Sequence, residues 1–475
     1  MSRRLALAAA VAVLAACARN PVTGKRQLSL VSKDQEIALG KEGAQQIQQS
    51  IGVYPDPKLQ AYVESVGKKM AAASERPDLP WSFTVLDDPS VNAFALPGGP
   101  VFVTRGILSH MTSEAELASV LGHEIGHITA RHSVQQLSKA QLAQVGLGVG
   151  MIFSEDLRQY GQLAGVGLQL AFLKFGRDAE RQSDELGFKY MVAQGYDPRE
   201  MAGVFRTLDR ASAKEGGGRL PEWLSTHPNP GGRAETAAER AQKVKGLESR
   251  RVEREQYLAH LSGMTFGENP RQGFFQGNAF LHPDLRFRVD FPEGWQKANT
   301  AAAVIGVSPQ KDAAVQLTVA GKLSPDEARA KFFSQQGVKP LALAGGASGA
   351  ALGGFEAQTE QGPLRGIVSF VSHGGATYQL VGFTPAQKIE GYAPTFQRTF
   401  ATFGPLTDPA ALAVQPARIE LVKVPRDMTI AELAAEFPST APPDVLALVN
   451  GVADGEKLKA GQLAKRIVGG TLPKP

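Results

Sequence analysis

The sequence predicts a multidomain α+β protein, in which a mainly helical first part with a small sheet precedes a separate α+β part. Three observations support this prediction. The chain has 475 residues, which is too long for one ordinary hydrophobic core. Its content of 43% hydrophobic and 20% charged residues is that of a folded globular protein. Apolar residues recur at helical spacing up to about residue 265, whereas alternating apolar residues dominate from residue 266.

The start of the chain predicts an export signal with a lipid attachment site. Arg3 and Arg4 precede an apolar run, residues 5–16, that is shorter than the roughly 20 residues needed to span a bilayer. The stretch LAAC resembles a bacterial lipobox, which implies cleavage before Cys17, its acylation, and a periplasmic protein anchored to a membrane. Ala18 follows the cysteine, and by the usual sorting pattern this indicates the outer membrane. The alternative is a plain secretory signal with a chance cysteine.

Charge and cysteine content exclude two further classes. The 51 basic and 46 acidic residues are interspersed, and the densest basic stretch, KVKGLESRRVERE, contains acids at helical spacing. This is typical of a solvated helix face, so we expect no nucleic-acid partner. Cys17 is the only cysteine, so the mature chain can form no internal disulfide in the oxidising periplasm.

The stretch VLGHEIGHITARH (120–132) carries the candidate active site. It lies in a helix predicted from Thr112 to about Lys139, where His123 and His127, four residues apart, share one face and can bind one ion. Glu124 can reach a water molecule on that ion without being a ligand. His132 lies nine residues after His123, on a different face, and is interpreted as a surface or core histidine. A surface helix carrying this pattern by chance is the alternative.

A third ligand is expected in GRDAERQSDELGFKYM (176–191). Glu180 and Asp184 share a largely apolar helical face, and two buried carboxylates are costly unless a cation meets them. A metal ion offsets the free-energy cost of burying them if Glu180 ligates the ion and Asp184 orients a ligand histidine. The alternative is a pair of surface acids bonded to Arg177 or Arg181.

The paired motifs carry a family resemblance over roughly residues 20–265. HEIGH followed about fifty residues later by ERQSD resembles the HtpX and CAAX-prenyl-endopeptidase type of zinc metallopeptidase, with Ser183 where alanine is usual. The resemblance implies a gluzincin-type domain that binds one zinc ion per chain through His123, His127 and Glu180, with Glu124 as general base. The exported form is similar to BepA-type periplasmic proteases of outer-membrane assembly.

Two further stretches look like parts of that family's cleft. In NAFALPGGPVFVTRGIL (92–108), Asn92, Ala93 and Phe94 are expected to bind extended substrate backbone by strand addition, although a plain hairpin needs no such role. In STHPNPGGRAE (225–235), His227 is the candidate donor to the developing oxyanion, with Arg233 supporting the loop. His227 in zinc's open position, in a self-inhibited resting state, and a plain His-Pro turn are the alternatives.

The predicted domain boundaries follow from these features. A signal peptide (1–17, with Cys17 the first mature residue) precedes a metallopeptidase domain (18–265), an α+β domain of unknown role (266–404) and a Pro/Ala linker (405–416). The last part, 417–475, resembles a diverged LysM module, a type that binds N-acetylglucosamine-containing glycans such as peptidoglycan. Because VPRD replaces the usual Gly-Asp at its start, a small packing module is an equal alternative.

Together these features predict a zinc endopeptidase, tethered to the outer membrane, that degrades misfolded or stalled envelope proteins and works alongside the outer-membrane assembly machinery. The rivals are a non-catalytic envelope chaperone that keeps zinc for structure, and a peptidoglycan-binding wall protein. The presence of Glu124, which zinc binding alone does not need, favours the enzyme.

Overall fold

The computed structural model describes residues 17–147, 170, 173–212, 223–227, 232–342, 352–359, 362–453 and 455–470. The predicted export signal before Cys17 and most of two apolar, glycine-rich segments of the sequence, 145–153 and 163–175, lie outside these residues. No helix in the described ranges is long and apolar enough to cross a membrane.

The chain is a mixture of helix and sheet in two compact units. The first comprises residues 1–267 and 418–468, and the second comprises 268–417 and 469–475. The predicted boundary at 265/266 lies next to residue 267, where the first stretch of this unit ends. The C-terminal residues 417–475 were predicted as a separate module, but residues 418–468 belong to the first unit.

Helices dominate the first unit. In chain order they are α1 (Lys33–Ile51), α2 (Pro57–Ala72), α3 (Arg105–His110), α4 (Glu114–Thr129), α5 (His132–Leu147), α6 (Arg177–Ala193), α7 (Arg199–Ser212), α8 (Trp223–Thr226), α9 (Arg233–Gln242) and α10 (Arg254–Leu261). The strands of this stretch are β1 (Cys17–Arg19), β2 (Arg26–Leu28), β3 (Ser82–Leu86), β4 (Ala93–Ala95), β5 (Pro100–Thr104) and β6 (Thr265–Phe266).

A small sheet of strand order β3–β5–β4 lies beside these helices, as predicted from the Pro-Gly-Gly turn. Strand β5 pairs in parallel with β3 and antiparallel with β4, which leaves β4 at the edge. Gly98 and Gly99 have positive φ angles of 83° and 132°, which glycine adopts without the clash a Cβ would cause. The turn between β4 and β5 therefore depends on the two glycines of the PGG motif.

Helix α4 is buried along its whole length, and it is shorter than predicted. Its N-cap is Ser113, whose hydroxyl accepts a hydrogen bond from the Glu116 backbone. The sequence SEAE (113–116) allows a capping box, in which Glu116 would bond back to the Ser113 backbone. The Glu116 carboxylate instead accepts from the backbone N–H of Thr112, one residue before the N-cap, so the box does not form. The helix ends at Thr129, because Arg131 adopts a left-handed φ of 60° and the chain starts the new helix α5.

The second unit is built around a long antiparallel sheet. Its strands are β7 (Phe274–Gln276), β8 (Ala279–His282), β9 (Phe287–Asp290), β10 (Gln296–Asn299), β11 (Val304–Val307), β12 (Ala314–Gly321), β13 (Val338–Leu341), β14 (Leu352–Thr359), β15 (Gly362–His373), β16 (Ala376–Pro385) and β17 (Gly404–Pro405). The larger sheet has the order β10–β11–β12–β16–β15–β14–β13, and the smaller one β17–β9–β8–β7. The helices are α11 (Pro325–Phe333), α12 (Ile389–Ala401) and α13 (Pro409–Ala413).

The predicted linker, 405–416, is folded into this second unit. Asp408 caps α13 by accepting a hydrogen bond from the Ala410 backbone. Ala411 and Val414 are buried in a cluster with Leu281 and Leu406. Alanine-rich sequence was read as a spacer, but small apolar residues at helical spacing also fit a short helix in a tight contact.

The C-terminal stretch adds β18 (Ala417–Lys423), α14 (Ile430–Glu436), α15 (Pro443–Val449) and β19 (Leu463–Val468). Strands β18 and β19 pair antiparallel, and β6 joins them on the other edge of β18. Within the first unit, the fully buried Lys465 donates hydrogen bonds from Nζ to the carbonyl oxygens of Ser109 (2.6 Å) and Met111 (2.7 Å). The LysM-like character of this stretch stays a prediction.

Candidate metal centre

Small residues let α4 and α6 cross at very short range. A Cβ on Gly122 would lie 3.0 Å from the Gly187 Cα, and one on Gly126 would lie 3.0 Å from the Ser183 Cα. Even an alanine side chain at either glycine would therefore press against the backbone of α6. This close approach places Glu180, in the first turn of α6, against the histidines of α4.

Four buried side chains converge where the helices meet: His123, His127, Glu180 and His227. The His123 and His127 Nε2 atoms are 3.0 Å apart, and the Glu180 oxygens lie 3.4 Å from each of them. The His227 Nδ1 is 3.2 Å from the His123 Nε2 and 3.2 Å from a Glu180 oxygen. Across the described residues, this is the one group of His, Cys, Asp and Glu side chains arranged to share an ion.

The donor set and its spacing fit a tetrahedral zinc ion. Ligand atoms about 2.0–2.1 Å from zinc at tetrahedral corners lie about 3.3–3.5 Å from one another, close to the 3.0–3.4 Å measured here. Imidazole and carboxylate are ligands that zinc prefers. The sequence-predicted ligands His123, His127 and Glu180 are therefore brought together, and His227 Nδ1 lies at a fourth corner.

Asp184 contacts the ligand His123, as predicted, whereas Arg233, predicted to support the His227 loop, contacts Asp184. Asp184 Oδ1 is 2.9 Å from the His123 Nδ1, and Arg233 contacts both Asp184 oxygens, at 2.7 and 2.9 Å. Burial by itself lowers the pKa of His123, but the hydrogen bonds to Asp184 and Glu180 raise it to about 9. The carboxylate thus favours a proton on Nδ1 and leaves Nε2 to face the metal position.

Glu124 points a free carboxylate into the same space. It is 1% exposed, and neither of its oxygens has a hydrogen-bond partner among the described residues. The His227 Nε2 lies 3.5 Å from its Oε1. Burial raises the pKa of Glu124, so its carboxylate is a stronger base than that of an exposed glutamate. A buried carboxylate without hydrogen-bond partners is expected at a position where it accepts a proton from a bound water molecule.

Two aromatic rings enclose His227 and His127. Trp223, at the start of α8, stacks on the His227 ring with centroids 4.2 Å apart, and its backbone N–H donates to the Val91 carbonyl next to the edge strand. Phe175 lies with its ring centroid 4.1 Å from that of His127. These contacts keep the metal position largely dry, which strengthens electrostatic interactions within it.

The remaining sequence-predicted residues lie away from the ligand cluster. Asn92 precedes β4, and Ala93 and Phe94 form its first two positions, with all three side chains buried. Helix α4 packs against this edge strand. Cys17 is the first residue of β1, where its Cα pairs with that of Leu28; its predicted lipidation stays a prediction.

Comparison with known proteins decides the family of this site. Residues 57–241, which include all four clustered side chains, match the peptidase family M48. The chain carries an M48 domain. Zinc is the metal that this family uses, in agreement with the donor set at the centre.

The M48 domain has curated relatives in bacteria and mitochondria. The chain is 30% identical over 233 residues to the beta-barrel assembly-enhancing protease of Yersinia pestis, covering 47% of this chain and 48% of that protein. It is 35% identical over 178 residues to the mitochondrial metalloendopeptidase OMA1 of Arabidopsis thaliana, covering 37% and 35%. The chain thus spans about half the length of the bacterial relative, or less of the plant one.

Sequence reasoning missed three residues of the M48 site: His132, Phe175 and Trp223. His132 was placed on another face because one continuous helix was assumed through Lys139. The left-handed residue Arg131 instead turns the chain, so that the His132 ring returns to 5.0 Å from that of His127. The two aromatic residues carry no motif, and only their spatial neighbours reveal them.

Proposed function

We propose that this chain is a zinc endopeptidase that cleaves misfolded or stalled proteins of the bacterial envelope. The observation that carries the proposal is the buried Glu124 carboxylate, which has no hydrogen-bond partner among the described residues, beside a three-ligand cluster of His123, His127 and Glu180. A structural zinc site does not require a carboxylate that is not a ligand, whereas hydrolysis requires a proton acceptor beside the metal position. This contrast favours the enzyme over a non-catalytic chaperone.

Zinc, when bound, lowers the pKa of a water molecule to about 7 and polarises a carbonyl group. Glu124 accepts the proton of the attacking water at a carboxylate oxygen and returns it to the departing amine. His123 and Glu180 are held rigid by Asp184 and Arg233, since Arg233 Nη1 also lies 3.6 Å from Glu180. The rings of Trp223 and Phe175 exclude bulk water.

Substrate backbone is proposed to add to β4, which lies at the edge of its sheet. The backbone N–H of Thr104 donates to Asn92 and that of Leu96 donates to the Pro100 carbonyl, so alternate residues of β4 bond to β5. In this register the backbone groups of Ala93 and Ala95 point away from β5. We therefore assign these two residues, rather than Asn92 and Phe94, the main-chain hydrogen bonds to an extended peptide.

The envelope location rests on the predicted export signal and lipobox at Cys17. It agrees with the bacterial relative, whose name describes a protease that enhances beta-barrel assembly. We propose that this chain is likewise lipid-anchored in the periplasm, acts on envelope proteins, and meets the outer-membrane assembly machinery. No observation among the described residues favours peptidoglycan binding by the C-terminal stretch.

Removing Glu180 is expected to empty the metal site. Purified wild-type protein should contain one zinc ion per chain and cleave casein, whereas Glu180→Ala should contain almost none and leave casein intact, because the site loses its one charged ligand and the remaining neutral imidazoles hold zinc more weakly. Elemental analysis after dialysis measures the metal, and a gel assay measures cleavage. The matched control is Glu185→Ala, an exposed residue of the same helix that pairs with Arg240. Equimolar zinc in Glu180→Ala would contradict the assignment.

His227 is proposed to block the open position at rest, because its Nδ1 lies at the fourth corner. Substituting His227→Ala should then raise the initial rate of casein cleavage, by about ten-fold if one molecule in ten has the position free. A fall of about 10²–10³-fold would instead identify an oxyanion donor. The control is His282→Ala, a histidine of the second unit.

A further inference from the structure

His132 lies directly behind the metal ligand His127. It is the first residue of α5 and is only 5% exposed. Its Nδ1 is 3.1 Å from the His127 Nδ1, and its Nε2 is 3.0 Å from the Gln182 Oε1. The left-handed backbone of Arg131, a conformation that costs a non-glycine residue free energy, is what returns the ring to this place.

Hydrogen-bond chemistry allows one arrangement of protons along this row. The His127 Nε2 faces the ligand cluster and must offer a lone pair, so the proton of a neutral His127 sits on Nδ1. The His132 Nδ1 must then accept that proton's hydrogen bond, which puts the His132 proton on Nε2. That N–H donates to the Gln182 side-chain oxygen, which can only accept. Both nitrogens of His132, the His127 Nδ1 and the Gln182 oxygen then each have a hydrogen-bond partner. The direction of each hydrogen bond follows from the lone pair that the His127 Nε2 directs at the metal position.

The two imidazole ligands are therefore supported differently. His123 donates to the Asp184 carboxylate, which is neutralised by Arg233. His127 donates to a neutral ring, which donates in turn to a neutral amide. A second carboxylate at this place would add negative charge to a buried site that already holds Glu180 and Glu124, at a large desolvation cost.

We propose that His132 and Gln182 form a neutral hydrogen-bond relay that fixes the tautomer and orientation of His127 for metal binding. The proposal rests on the zinc site proposed above. His132 is a positioning residue: it acts through His127 and touches neither substrate nor the metal position. Ser183, whose hydroxyl is 3.4 Å from the His132 Nδ1, gives the ring a second, longer contact.

Metal affinity tests the relay without reference to activity. Replacing His132 by Leu keeps an apolar bulk but removes the acceptor, and should weaken zinc binding by about 10–100-fold in competition with a chromogenic chelator. In His132→Asn the amide oxygen occupies the place of the Nδ1 acceptor, so the affinity should stay within a few-fold of wild type. The control is Gln135→Ala on the same helix, which bonds to Gln27 and the Ala130 carbonyl.

Cobalt substitution separates positioning from simple destabilisation. The visible absorption of the Co²⁺ form should change in His132→Leu but remain that of wild type in His132→Asn and Gln135→Ala, with thermal melts showing that all are folded. Equal affinities for His132→Leu and His132→Asn would overturn the relay. Loss of zinc from wild-type protein would overturn the metal site itself, so the two failures are distinguishable.

Discussion

Replacing Glu124 by Gln is expected to slow casein cleavage by roughly 10²–10⁴-fold while zinc stays at one ion per chain. Glutamine has the shape of glutamate but cannot take a proton from water at neutral pH. The ligands His123, His127 and Glu180 do not depend on Glu124 for any hydrogen bond described here. We therefore expect Glu124→Gln to lower the rate of cleavage without changing the zinc content.

The same variant is expected to be as stable as wild type or more so. Glu124 is a buried carboxylate without a hydrogen-bond partner in the described structure. Such a group lowers the stability of the folded protein, because its desolvation is not compensated by hydrogen bonds. A neutral amide removes the buried charge. Initial rates with labelled casein and thermal melts measure the two effects, with the exposed Glu185→Gln as control. Cleavage at the wild-type rate in Glu124→Gln would remove the catalytic assignment and favour the chaperone.

Much of the metal centre could be predicted from local spacing. Two histidines four residues apart must share a face of any helix, so His123 and His127 follow from spacing. A carboxylate on an apolar face favours a cation nearby, but Glu180 stayed one of two interpretations until the family resemblance selected it. That the two helices meet depends on Gly122, Gly126 and Ser183, whose small size is visible in the sequence but whose partners are not. His132 was misplaced because the helix break depends on the backbone of one residue, Arg131.

The burial of Lys465 in the C-terminal stretch could not be predicted from local sequence patterns. In LAKRIV, Lys465 sits among alternating residues of a short strand and has the sequence context of an ordinary surface lysine. Its hydrogen-bond acceptors, Ser109 and Met111, are about 355 residues earlier in the chain, with separations of 356 and 354. Long-range burial of this kind is a property of the tertiary structure and leaves no periodic signal nearby.

The second large effect is expected at that buried lysine. Substituting Lys465→Met should lower the free energy of unfolding of the first unit, since two carbonyl groups lose their donor at about 1–3 kcal/mol each. Methionine fills most of the same space, so the loss reports the hydrogen bonds rather than a cavity. The control is Lys459→Met in the same stretch, an exposed lysine paired with Asp427, which should change stability by less than about 1 kcal/mol.

The size of this loss should grow with pH, and the sign follows from the pKa of the lysine. Burial, and the nearby Arg254, lower the pKa of Lys465 from 10.5 to about 7, although Glu116 opposes the shift. Between pH 7 and 10.5 the unfolded chain therefore binds one more proton than the folded chain, so wild-type protein gains stability as pH rises. Below pH 7 both states carry the proton and this contribution is constant.

A neutral amine has two N–H groups, which match the two carbonyl acceptors at 2.6 and 2.7 Å. Urea unfolding at pH 7, 8 and 9, followed by circular dichroism, should show wild type gaining up to about 1.4 kcal/mol per pH unit relative to Lys465→Met. Glu116, whose pKa burial raises to about 7, is present in both proteins, but the charge of Lys465 lowers its pKa, so the slopes are compared between pH 8 and 9. A difference that is independent of pH would mean that Lys465 stays charged when buried, and that Glu116 compensates it.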